Sequence, residues 1–291
     1  WRPRPWQELG IRLSLKYKCM PLFIEKGGGK TSTDKSIDSF LEHTIGGTRF
    51  LVSCPKILVK PWWREIRRFF PNLTPVILRG KTVAEKASQV DLYDCPGVVY
   101  ILNKEAFRPR EHSKTNDLID AFEALPKTSE GFVFTSVSVD ESSELRNYTQ
   151  HLEGLLYLAN LAARRRILSG NPAPQSLTDY VNQFNFLHKG MLEWNNHNAM
   201  VVAGTVRKVN NAWGGLEWTR EFVGRHHHQI KRASYIMTRH DLEKHGLKIP
   251  CSYRVVPIEM TEKQRRAYDD MKETFIANLE REVKKVENEF E

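Results

Sequence analysis

Short apolar runs alternate with amphipathic stretches from residue 1 to about 190. Met20–Ile24 (MPLFI), Arg49–Cys54 (RFLVSC), Val76–Leu78, Gly97–Asn103 (GVVYILN), Gly131–Val139 (GFVFTSVSV) and Arg166–Ser169 predict short buried strands. Between them, helical spacing of apolar residues predicts helices. One opens at Gln7, with Leu9, Ile11, Leu13 and Leu15. A second covers Thr33–His43, with Ile37, Phe40 and Leu41 on one face. A third covers Ile57–Phe70, with Trp62, Trp63, Ile66 and Phe69 apolar; its tryptophans are expected to pack on the sheet and Lys60, Arg64, Arg67 and Arg68 to face solvent, the alternative being that this cluster lines a DNA surface. Further helices are predicted over Thr115–Leu125, Glu144–Arg164 and Tyr180–Leu187. Arg164-Arg165-Arg166 then reads as a cationic helix C-terminus, a favourable place for positive charge. Strands alternating with helices in this way predict an α/β fold, a parallel sheet with helices on both faces.

The pattern changes after residue 190. Gly190–Gly224 is polar and rich in Asn and Gly, with scattered Trp194, Trp213 and Trp218, and reads as an irregular or helical insertion. Arg225–His245 is basic and histidine-rich. Its His226-His227-His228 run cannot turn all three rings to one ion on a helix. Arg254–Ile258 is strand-like. Thr261–Glu291 reads as a long charged helix opened by a Thr261/Gln264 capping box. The expected divisions are 1–189 as the sheet domain, 190–253 as insertion and linker, and 254–291 as the start of a second lobe or a C-terminal helix. The chain begins at Trp1 without methionine and ends inside a predicted helix, which leads us to expect part of a longer protein.

Composition narrows the function classes. The 291 residues carry a formal net charge of +9, which favours a polyanionic partner, nucleic acid first. The four cysteines form no CxxC pair and read as reduced intracellular thiols, against a disulfide framework or a zinc site. No apolar run approaches membrane-spanning length, so no membrane partner is expected.

The richest chemistry lies in Glu25-Lys26-Gly27-Gly28-Gly29-Lys30-Thr31, between the first predicted strand and its helix. Gly27, Gly28 and Gly29 let the backbone turn tightly and aim successive N–H groups at phosphate oxygens. Lys30 can reach the terminal phosphates and the Thr31 hydroxyl can hold Mg²⁺. Ile24 stands where the full phosphate-loop pattern has its first glycine. A second carboxylate-bearing element is needed, and Asp140-Glu141 ends the fifth predicted strand. Asp140 suits the Mg²⁺ side through its water shell, and Glu141 suits orienting or deprotonating a water. The bland alternative is that the pair caps the following helix.

In order along the chain, five blocks together resemble the first RecA-like lobe of Swi/Snf-type DNA translocases of helicase superfamily two, most closely phage and bacterial members and the annealing-helicase branch. They are Arg4-Pro5-Trp6-Gln7 with Gly10, Glu25–Thr31, Leu51–Phe69 (LVSCPKILVKPWWREIRRF), Val139–Ser143 (VDESS) and Ile167–Pro174 (ILSGNPAP). Looser similarity runs through Ala233–Leu242 and Tyr253–Tyr268. The resemblance implies ATP and Mg²⁺ as cofactors and double-stranded DNA, held by its backbone, as partner. It implies that Gln7 reads the adenine edge, that Gly27, Gly29 and Lys30 cradle phosphates, that Thr31 ligates Mg²⁺, and that Asp140 and Glu141 form the Walker B pair. Ser53, Pro55 and Lys56 would touch DNA, and Ser169, Gly170 and Asn171 would couple nucleotide state to DNA. The sequence departs from the family at Asn171, usually threonine, and at Lys26 and Gly28, usually apolar.

A second RecA-like lobe, with its arginine fingers, is the expected partner for catalysis. This chain alone is therefore expected to bind and hydrolyse ATP weakly. The rivals are an RNA-dependent P-loop NTPase and a non-catalytic DNA-binding module that kept the fold. The implied setting is the cytoplasm of a bacterial or phage-infected cell, or the nucleus of a eukaryotic one.

Overall fold

A computed structural model describes residues 2–194, 196–207, 216–247, 257 and 259–288. The chain divides into two units, Trp1–Lys248 and Ile249–Glu291. Each of the six strands predicted before residue 190 forms, shifted by a few residues at most except at the last of them. They are β1 (Cys19–Ile24), β2 (Arg49–Ser53), β3 (Thr74–Val76), β4 (Val98–Leu102), β5 (Phe134–Asp140) and β6 (Ala162–Ser169). A short hairpin, β7 (Thr205–Arg207) with β8 (Leu216–Trp218), lies in the stretch read as an insertion, and β9 (Tyr235–Met237) follows. The main sheet has seven strands in the order β3-β4-β2-β5-β6-β1-β9, all parallel. Their carboxyl ends therefore share one edge, where open α/β sheets bind ligands.

The helices of the first unit are α1 (Pro5–Lys16), α2 (Lys30–Ile45), α3 (Val59–Phe69), α4 (Val83–Ala87), α5 (Asp117–Glu123), α6 (Gln150–Asn160), α7 (Asp179–Leu187), α8 (His197–Gly204), α9 (Arg220–Ala233) and α10 (Arg239–Lys244). Strand alternation splits the core into two layers. Leu22, Ile24, Phe50, Val52, Val99 and Ile101 pack under α1, α2, α3 and α10. Phe23, Leu51, Tyr100, Val137 and Ile167 pack under α5, α6 and α7. In the second unit, α11 (Glu262–Asn288) begins with the predicted capping box: Thr261 N–H donates to Gln264 Oε1 at 3.0 Å, and Gln264 N–H returns to Thr261 Oγ1 at 3.4 Å.

Four predicted elements are corrected. Glu144–Arg164 is not one helix: a 3₁₀ turn covers Ser142–Leu145, α6 ends at Asn160 and β6 begins at Ala162. The three arginines thus lie within a strand rather than at a helix end. On α1 the fully buried residues are Trp6, Gln7, Gly10 and Ser14; Ile11, Leu13 and Leu15 of the predicted series are half-buried against the core, and Leu9 is 52% exposed. The reason is close approach: a Cβ on Gly10 would stand 2.9 Å from the Tyr235 ring. Phe40 is likewise exposed. Finally, the Arg225–His245 stretch supplies the edge strand β9, whose three residues are too few for a periodic signal. There, His226 is buried between Phe222 and Tyr180, while His227 and His228 face solvent. Arg254–Ile258, bar Pro257, lies outside the described residues.

Sequence gave no sign of the charge cluster beneath α2. On the α2 side of the sheet, β5 presents Ser136, Ser138 and Asp140, and β6 presents Arg166. Asp34, Lys35 and Asp38 of α2 and Arg166 are all at most 1% exposed. Arg166 pairs with both Asp34 and Asp38, and Lys35 with the same two carboxylates. Ser138 donates to Asp34 and Ser136 to Asp38, each at 2.8 Å. Two cations against two anions make the group formally neutral. Burial alone would push the Asp34 carboxyl up. The charges of Arg166 and Lys35 and the hydrogen bonds from Arg166 and Ser138 outweigh it and hold the carboxyl below its ordinary value.

Removing one partner leaves an uncompensated buried charge. Arg166→Met is expected to cost about 3–5 kcal/mol of unfolding free energy in denaturant titration. Arg110→Met, which breaks an exposed pair with Asp117 and Asp120, is expected to leave the midpoint nearly unchanged. Because the Asp34 value is depressed on folding, its contribution is present at neutral pH and lost as the pH falls below the ordinary carboxylate range.

Candidate nucleotide-binding site

The glycine turn joins β1 to α2. Gly27 and Gly29 have φ of +82° and +85°, a left-handed conformation that side chains resist. Gly28 N–H closes the turn onto Glu25 O at 3.0 Å. Gly29 is the N-cap of α2 and offers no side chain to the first-turn N–H groups. By contrast, α4, α5, α6, α8, α9 and α10 each have a Thr or Asn whose side chain accepts a backbone N–H. An uncapped helix start behind a glycine turn is a ready anion site. The hydroxyls of Ser32 and Thr33 turn back to Gly29 O at 3.2 and 2.8 Å. Thr31 is half-buried, and its hydroxyl bonds to none of the described residues. Lys30 Nζ, donating to Ile24 O at 3.3 Å, folds over the end of β1.

Around this turn the structure gathers most of the expected residues. Gln7 is buried; its Nε2 lies 3.4 Å from Gly28 O and its Oε1 accepts Arg4 N–H at 2.9 Å. A Cβ on Gly29 would meet Gln7 Nε2 at 2.2 Å, so the side chain lies directly on the turn. Trp6 adds an indole N–H to Gly28 O at 3.1 Å. Gly170, after β6, stands where a Cβ would be 3.4 Å from both Lys30 Nζ and Lys26 N. Ser169 is buried and accepts Asn171 N–H at 3.1 Å, while Asn171 itself is exposed.

Asp140 ends β5 at 6% exposure. Its Oδ2 accepts Trp62 Nε1–H at 2.8 Å and its Oδ1 accepts Glu141 N–H at 2.9 Å. Desolvation by burial pushes its carboxyl up to about 6. Glu141 adds to the rise; the two N–H donors and the nearby Lys30 charge oppose it. Glu141 is held at φ +49°, an unfavourable conformation for a residue with a side chain, and such strain concentrates at functional sites. One step on, Ser142 Oγ donates to Gln183 Oε1 at 2.7 Å, and Gln183 Nε2 donates to Pro172 O at 2.6 Å. Through Gln183, the block after β5 is tied to the block after β6. That residue carries no motif, so sequence reasoning missed it.

The block after β2 is placed differently. Ser53 is buried at 1% exposure, Pro55 is half-buried and Lys56 is exposed. Lys56 opens onto a cavity of about 1020 Å³ past the ends of β2, β3 and β4, lined also by Lys60, Arg79, Lys81 and Lys86, with Glu105 as the acidic residue. Arg79, Lys81 and Lys86 were not anticipated. The sequence signal was an Arg-Gly-Lys turn just past a strand, which looks like any exposed loop until Lys56 and Lys60 are brought beside it.

The SNF2-related domain family matches residues 16–290. The chain belongs to this SNF2-related family. No curated protein matches it significantly. Among solved structures, it is similar to the Sulfolobus solfataricus SWI2/SNF2 ATPase core in complex with dsDNA, with a TM-score of 0.53 and 19% identity over 67% of this chain. The Sulfolobus solfataricus SWI2/SNF2 ATPase core domain gives a TM-score of 0.50 and 19% identity over 67% of this chain. The match spans 37% and 36% of those two chains. This SNF2-related chain thus has the RecA-like α/β fold expected, and corresponds to about a third of the archaeal cores. Among its described residues no helix is long and apolar enough to cross a membrane.

The raised carboxyl of Asp140 sets a pH window. Below about 6 it takes up a proton and loses its attraction for a cation. Nucleotide binding measured with Mg²⁺ is expected to weaken in wild type as the pH falls through about 6, and Asp140→Asn, compared over the same pH series, to lack the part of that step that belongs to the Asp140 carboxyl.

Proposed function

We propose that this chain is the first ATP-binding lobe of a DNA translocase or helicase of the SNF2 kind. The observation that carries it is the uncapped start of α2 behind two left-handed glycines, with Lys30, Asp140 and Gly170 gathered around it. The donor set fits Mg·ATP: open backbone N–H groups and an ammonium for phosphates, an uncommitted Thr31 hydroxyl, and a buried carboxylate short of positive charge. Mg²⁺, when bound, would neutralise charge developing on the phosphates.

In this mechanism the Gly27–Gly29 backbone and Lys30 hold the phosphates. Thr31 and Asp140 would hold the metal side. Glu141 orients the attacking water and accepts its proton. Gln7, with its amide on the glycine turn, reaches the adenine edge or sets the turn's shape for it. The exposed ammonium of Lys56, with Lys60, Arg79 and Lys81, meets the phosphate backbone of duplex DNA. Ser169, Gly170 and Asn171 pass the state of the nucleotide to that face. A second lobe would add the remaining charge stabilisation, and an arginine finger alone is worth roughly 10³–10⁵ in rate. The chain by itself would then hydrolyse ATP slowly.

Binding of a fluorescent ATP analogue with Mg²⁺ tests the site. Lys30→Ala is expected to abolish binding, and Glu141→Gln to keep binding while removing residual hydrolysis. Duplex DNA is expected to stimulate hydrolysis more than RNA, with affinity falling steeply as salt rises. Binding indifferent to Lys30→Ala, with DNA binding intact, would point to a non-catalytic module. Stimulation by RNA alone would point to an RNA-dependent NTPase.

A further inference from the structure

Trp62 belongs to the helix after the block assigned to DNA, yet its indole reaches the acid at the end of β5. Both residues are nearly inaccessible, Trp62 at 2% and Asp140 at 6%. The Nε1–Oδ2 distance is 2.8 Å, and Glu141 N–H takes the other oxygen at 2.9 Å. One donor on each oxygen fixes the plane of the carboxylate as well as its position. The ring is itself seated. Lys35 Nζ lies 5.5 Å from its centroid, held there by Asp34 and Asp38. Lys35 is on α2, the helix that opens with Lys30, so the phosphate lysine and the acid are referenced to one rigid element.

We propose that Trp62 is a positioning residue for Asp140, orienting that carboxylate toward the metal side of the nucleotide through its indole N–H. A residue present only to fill the core would need the ring and not the N–H. Carboxylates that serve a metal are themselves held by hydrogen bonds, and losing such a partner commonly costs 10- to 100-fold in metal affinity. The inference rests on the nucleotide-site reading given above, and deepens it.

The test uses the whole 291-residue chain. Binding of the fluorescent ATP analogue is followed across a Mg²⁺ series for wild type and Trp62→Phe, which keeps an aromatic ring and removes the donor. The expected result is about a 10-fold rise in the Mg²⁺ needed for half-maximal binding, with binding in EDTA unchanged. In parallel, the Trp62 indole ¹H–¹⁵N resonance of wild type is identified by its displacement in Asp140→Asn. It is expected to move more with Mg²⁺ plus nucleotide than with nucleotide in EDTA. This second readout needs no folded Trp62 variant. The same Mg²⁺ dependence in Trp62→Phe, an indole resonance indifferent to Mg²⁺, or no resonance displaced in Asp140→Asn would each overturn the proposal. If wild type binds nucleotide with a Mg²⁺ requirement, such a result overturns the role of Trp62 alone. If wild type binds no nucleotide, the functional reading falls and this inference with it.

Discussion

Burying four charges under one helix constrains this lobe more than any other interaction in it. Asp34, Lys35 and Asp38 can leave water only because Arg166 arrives from β6 and two serines arrive from β5. None of these partners tolerates a shift of register, since moving β6 by one residue would turn Arg166 to the other face of the sheet. The cluster therefore locks α2 against β5 and β6, the strands that lead into Asp140-Glu141 and Ser169-Gly170-Asn171. Buried ion pairs are a poor source of net stability. Their value here is geometric, because the same helix begins at Lys30.

That lock explains how a glycine turn with three consecutive glycines can be shaped rather than loose. Its far end is fixed by α2, and its near end by β1, which is paired on both sides by β6 and β9. From above it is covered by Trp6 and Gln7, which donate to the turn's carbonyls. Tyr235 of β9 in turn holds Trp6 through its backbone carbonyl. What remains open is the row of N–H groups at the start of α2. The surrounding packing leaves no side chain to cap them.

The helix α3 links two regions that chemistry would otherwise keep apart. Lys60 lines the basic cavity past β2, β3 and β4, and two residues later Trp62 holds Asp140. Gln183 makes a comparable link between the blocks after β5 and β6. The first is a buried bond between two side chains; the second combines a buried bond from Ser142 Oγ with a part-buried one to the Pro172 backbone carbonyl.

By itself the sequence determined the layers of the fold. Two-sided strands must be apolar along their length, and amphipathic helices must cover them, so β1 to β5 and most helices were legible from periodicity. It also marked the glycine turn and Asp140-Glu141 as candidates, because those residue types stand at the carboxyl ends of apolar runs. What only the tertiary structure decided were pairings between distant residues. Arg164–Arg166 read as a helix end because nothing nearby reveals Asp34 and Asp38, more than a hundred residues earlier. Tyr235–Met237 became a strand because β1 offered an unpaired edge. Trp62 read as core packing because its polar edge finds Asp140 only once α3 lies against β5. Periodicity reports which way a side chain faces; it carries no information about which buried polar atom will meet it there.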